Sequence, residues 1–110
     1  MEKSSLTALA RERLAAARNS PNGRSSSTVY GGHEHRLRQT LIALAAGETL
    51  SEHDNPGEAT VLVLTGRVRL ATAEAAWDGT DGDLINVPHA RHTLEALEDS
   101  AVLLTAVPLG

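Results

Sequence analysis

Cysteine and phenylalanine are absent from this chain, and tryptophan and tyrosine occur once each, as Trp77 and Tyr30. Without Cys there is no disulfide, no thiolate metal site and no Cys nucleophile. Without several aromatic rings there is no stacking platform for nucleic-acid bases. A net charge of −4 gives no positive surface for a phosphate backbone. No nucleic-acid partner is therefore expected. No apolar run nears the roughly 20 residues of a membrane span, so no membrane partner is expected either. The polar start Met1–Ser5 does not read as a signal peptide, which makes a soluble cytoplasmic protein the expectation. Also missing are a Gly-x-Ser-x-Gly nucleophile elbow, a phosphate-binding glycine loop and a carboxylate pair placed for glycoside chemistry.

What is present is mostly aliphatic. Hydrophobic residues make up 41% of the 110 residues, enough for one domain. Residues 5–18 predict a helix. Ser4 or Ser5 supplies the N-cap. Leu6, Leu9, Ala10, Leu14 and Ala17 recur at helical spacing, and Arg18 suits the negative end of the dipole. The run Asn19-Ser20-Pro21-Asn22-Gly23 stops the helix, and Arg24 to Ser27 reads as a polar linker. A helix this short is marginal alone, so its stripe must dock on something. We divide the chain into residues 1–27, helix and linker, and residues 28–110, a β domain.

From Thr28 onward, short β segments alternate with Gly, Asp, Asn and Pro. Strands are expected at Leu37–Leu44, Thr49–Asp54, Ala59–Thr65, Arg67–Thr72, around Trp77, and at Leu84–Val87, Thr93–Leu97 and Ala101–Val107. Many short strands with no intervening helix predict an antiparallel sandwich or closed barrel. Val61-Leu62-Val63-Leu64 is apolar on both faces. One face fills the core, and the other needs cover from the helix, a second sheet or another protomer. A homodimer is therefore expected.

Two glycine-led motifs carry a resemblance. Gly47 is followed by five residues, then His53-Asp54-Asn55, and later by Gly66; Gly82-Asp83 leads, again after five residues from Gly82, to Pro88-His89-Ala90-Arg91-His92. Their order and separation resemble the two motifs of the cupin superfamily. The stretches Tyr30–His35, Pro56–Thr60 and Leu94–Ser100 are similar to small bacterial cupins of unassigned function. The resemblance implies an all-β fold, an antiparallel jelly-roll β-barrel preceded here by a short α-helix. It also implies a site in the barrel. Metal cupins present two His, then a Glu, Gln or His, then a final His, a donor set suited to a divalent transition metal such as Fe, Mn, Ni, Cu or Zn. Here the first and last slots hold His53 and His92. The second holds Asn55, a poor ligand, and the third falls on Ala59, which has no donor. Glu58 is adjacent, but neighbouring strand residues point to opposite faces. No cofactor is certain on this pattern.

Other polar residues have two readings each. His33 and His35 either complete a site with His53 and His92 or lie on a solvated edge. Gln39 lines the pocket, pointing inward between Leu37 and Leu41, or is a structural hydrogen-bonder. His89 sits at the rim. Arg36, Arg38, Arg67 and Arg69 bind an anion or form a solvated face. Trp77 stacks on a ligand or packs an interface. Three functions follow. One is a barrel that binds a small polar molecule through His53, Asn55, His92 and Gln39, with a degenerate metal site. Another is a metal-dependent oxygenase or isomerase using His53 and His92, with Asn55, Glu58, His33 and His35 as weaker ligands. The last is a structural or regulatory homodimer.

Overall fold

Ser5 starts the helix: its Oγ accepts from the Ala8 backbone N–H at 3.2 Å. The computed structural model describes residues 3–32, 34–53 and 57–108. Helix α1 spans Leu6–Arg18 and is followed by nine strands. Strands β1 (Arg24–Tyr30), β2 (Arg38–Leu44), β9 (Ser100–Pro108), β4 (Gly57–Thr65) and β7 (Leu84–Asn86) form one sheet in that spatial order. Strands β3 (Thr49–His53), β8 (His92–Ala96), β5 (Arg67–Ala71) and β6 (Ala76–Thr80) form the other. All pairings are antiparallel. The expected closed barrel is seen as two facing sheets; no ladder joins one to the other among the described residues.

The eight strands expected after Thr28 all form, with ends shifted by a residue or two. Arg24–Ser27 is the difference. The expected linker is the first part of β1, paired residue by residue with β2 from Arg24↔Leu44 onward. Arg24-Ser25-Ser26-Ser27 has no hydrophobic period of its own. Pairing with β2 and the overlying helix decide its state.

The inward faces build the main core from Leu44, Val61, Val63, Val68, Leu70, Leu94, Ala96 and Val102, all buried. The outward face of the five-stranded sheet carries a second cluster, where Ala10, Leu14 and Ala17 of α1 lie on Leu41, Ala43 and Ala101. Alanines on both sides let helix and sheet approach closely. This explains why a 13-residue helix holds: its stripe is buried on the sheet.

The sandwich has unlike ends. At one end, where Leu44 meets Ser100, the chain is tightly tied. Ser100 is fully buried; its Oγ accepts from the Arg67 N–H at 2.9 Å and lies 2.7 Å from the Glu98 carbonyl, which takes its proton. Gly66 has φ +99, and a Cβ there would strike the Ser100 side chain and the Asp99 carbonyl, so only Gly serves. Asp99 accepts from the Ala46 N–H at 2.8 Å and from Arg18 Nε at 2.7 Å. These bonds, the backbone one foremost, hold its carboxyl below the usual range. The other end, where Arg38 meets Ala106, is more polar on the inward face of β2, with Arg38 exposed and Thr40 half-buried.

Candidate functional site

The Arg38–Ala106 end carries the candidate site. β8 begins there with His92, 5% exposed, because Val87-Pro88-His89-Ala90-Arg91 turns the chain back into the sheet. His92 Nδ1 lies 2.9 Å from the Ala90 carbonyl oxygen. A carbonyl only accepts, so Nδ1 carries the proton, and in the neutral ring Nε2 is the acceptor nitrogen. Metal-binding His residues usually have their other nitrogen anchored this way, but the same bond serves a His that accepts from an organic ligand.

Across from His92 stands His53. β3 and β8 run in register at Thr49↔Glu95 and Leu50↔Leu94, then shift, so that His53 rather than Glu52 is opposite His92. The shift is a one-residue bulge on β3. It brings the backbones of the two motif histidines side by side, as the resemblance implies. The His53 side chain, Asn55 and His33 lie outside the described residues.

Between the sheets next to His92 is a cavity of about 30 Å³, room for one or two waters. Among the described residues it is lined by His92 and by aliphatic side chains, Leu50, Leu70 and Leu104 among them.

The remaining candidates scatter. Gln39 shares the outward face with Leu41, and its amide lies 3.3 Å from Thr105 Oγ1. The inward reading fails at Gln39 because Leu41 packs under α1, not in the two-sheet core. Glu58 is exposed, while its neighbour Ala59 packs on the core. Carboxylate and core therefore lie on opposite faces of β4. His35 sits edge-on to Tyr30 at 4.9 Å between ring centroids, away from the cavity lining. His89 is exposed on its loop. Arg69 donates to Asp78 at 2.7 Å and Arg67 reaches the same carboxylate at 3.4 Å. Those two arginines form a paired surface, and the bond to Arg69 is the main reason Asp78's carboxyl is held low. Trp77 is 44% exposed on the edge strand β6.

Among the described residues no three His, Cys, Asp or Glu side chains converge on a possible metal position, and the third motif slot is the Ala59 methyl, which has no donor. Among the described residues no helix is long and apolar enough to cross a membrane.

Sequence reasoning missed two features. One is the β3 bulge, which leaves no residue signature. The other is the polar-to-apolar change along one face of β2, Arg38 and Thr40 then Ile42 and Leu44, legible as an i, i+2 series once the inward face is known.

No protein-family model and no curated protein matches the sequence. Solved structures do match. A conserved protein of unknown function from Streptococcus pyogenes is 25% identical with a TM-score of 0.73, over 83% of this chain and 79% of that one. A cupin superfamily protein from Desulfitobacterium hafniense is 21% identical, TM-score 0.71, over 78% of each chain. A cupin 2 conserved barrel domain protein from Salinispora arenicola is 18% identical, TM-score 0.67, over 96% of this chain and 87% of that one. These likenesses and the two motifs agree: the chain has the cupin fold.

Proposed function

We propose that this protein is a small-molecule binder whose ligand docks at the open end of the two sheets, where His53 and His92 are cross-strand neighbours. In this reading the sheets close as a jelly-roll barrel around the cavity. A small apolar part of the ligand enters the cavity, and a hydrogen-bond donor on the ligand meets His92. The observation that carries it is His92 itself. It is the one buried ionisable side chain among the described residues, its tautomer is fixed by Ala90, and it lines the interior cavity.

A metal-dependent enzyme is the competing reading, favoured by the His53↔His92 register pair. Elemental analysis of untagged protein, with a His53→Ala/His92→Ala double variant as control, separates the two. We expect wild type and variant to hold the same trace metal, even after divalent ions are added back. About one equivalent of metal in the wild type alone would sink the metal-free reading.

A homodimer is a third element of the proposal. Leu41, Leu103, Leu62 and Leu84 form one outward column across four strands. The column runs from fully buried Leu41 near α1 to Leu84 at 61% exposure. The apolar stripe outlasts the helix that covers it, and a second copy would cover the rest.

A further inference from the structure

The interior cavity shares part of its wall with an open groove. Ile42 and Leu50 line the cavity and also line this groove, with Asn22, Arg24, Ser25, Ser26 and Thr40. Thr40 in turn lines an adjoining groove with Thr28, Tyr30, Gly31, Gly32 and Arg38. The two grooves hold about 400 and 370 Å³, the size range of small-molecule sites. Together they follow the length of β1, about 20 Å at ~3.3 Å per residue.

Their walls combine aliphatic side chains, Ile42 and Leu50, with a polar face of β1 and β2. Alternation puts Arg24, Ser26 and Thr28 on the inward face of β1, and Arg38 and Thr40 on the same face of β2. Because β1 is the sheet's edge strand, these three β1 residues are exposed rather than packed. The result is a row of hydroxyls with a guanidinium toward each end. Neither Arg24 nor Arg38 has an ion pair among the described residues, although Arg18, Arg67 and Arg69 each have one. The Arg38 end is also shaped. Gly31 has φ +136, and a Cβ there would lie 3.4 Å from Arg38 Cα and Cγ, so the loop backbone lies against the arginine stem. His35 turns back on Gly32, its N–H donating to the Gly32 carbonyl at 3.1 Å, and braces the Tyr30 ring edge-on. His35 Nδ1 is buried with no partner.

We propose that this groove recognises the polar part of the ligand, and that the ligand class is an organic acid on a polyol or sugar framework. The hydroxyl row exchanges hydrogen bonds with the framework, and the guanidiniums take carboxylate or phosphate groups. The inference rests on the reading of the open end as the binding site and names its ligand class.

The test is titration calorimetry with four probes: glucarate, sorbitol 6-phosphate, neutral sorbitol and inorganic phosphate. We expect an acidic polyol to bind, with glucarate against sorbitol 6-phosphate identifying the acid group, and sorbitol and phosphate alone to bind far more weakly. Arg38→Ala should weaken binding by about tenfold or more, as for loss of a charged hydrogen bond. Affinity should also fall with added salt. Thr28→Val/Thr40→Val, which keeps β-propensity, should weaken binding without unfolding the sheet. Failure of both acidic polyols, or binding indifferent to Arg38, overturns the proposal. Binding of an acidic polyol that responds to Arg38 but not to His92→Gln keeps the groove and sinks the interior site. A neutral ligand lost only in His92→Gln does the reverse.

Discussion

The two ends of the sandwich are built from the same strands and differ in almost every physical respect. At the tied end, Leu44, Val68, Ala96 and Ser100 are at most 1% exposed, and the polar groups named there, Ser100 and Asp99, are bonded. At the open end the same face of β2 presents Thr40 and Arg38, a His lies buried among aliphatics, and a groove runs out to solvent beside Arg38. In the proposed reading the ligand docks at the end away from the densest packing, and its polar groove follows β1 back toward Arg24, opposite Leu44.

The contrast can be broken most forcefully at the tied end. Leu44→Ala should cost about 2–4 kcal/mol, a transfer loss plus a cavity that neighbours on two sheets cannot fill, read from the shift in urea midpoint at unchanged slope. Ser100→Ala should cost about 1–3 kcal/mol, because the Arg67 N–H is left buried without an acceptor. His92→Gln at the open end sharpens the comparison. We expect a stability change under about 1 kcal/mol together with loss of ligand-induced thermal stabilisation. A large destabilisation with binding intact would erase the contrast.

The smallest effect is the pH dependence at Asp99. Its folded-state pKa is lowered, so its contribution is present above the unfolded value of about 3.9 and lost as pH falls through the folded value. The side chain is 37% exposed, and solvent screens the Arg18 pair. Asp99→Asn should therefore differ slightly from wild type at neutral pH and converge with it on acidification. A gap that stays constant down to the acid transition would rule this out.

The sequence made the helix, its cap and the later strands legible because each has a local signal: Ser5 before an apolar stripe, or alternation bounded by Gly66 and Gly82. It also singled out His53 and His92, whose backbones are register partners on β3 and β8. It could not assign faces on β2. Leu41 lies under α1 and Ile42 faces the interior, so both faces are apolar and period two cannot say which is which. That is why Gln39 reads inward and lies outward. Nor could it give β1, whose serines gain a strand state only from β2 and the helix above.

The bulge on β3 has a consequence for how such a site changes over time. Between Leu50 and His53 this strand has one more residue than β8 has between Leu94 and His92. Only one of positions 52 and 53 can pair with His92, so a slip of one step would exchange the residue opposite it with no change of genotype, and deleting one of residues 51 and 52 would remove the bulge. At this edge the chemistry of the centre is written partly in chain length.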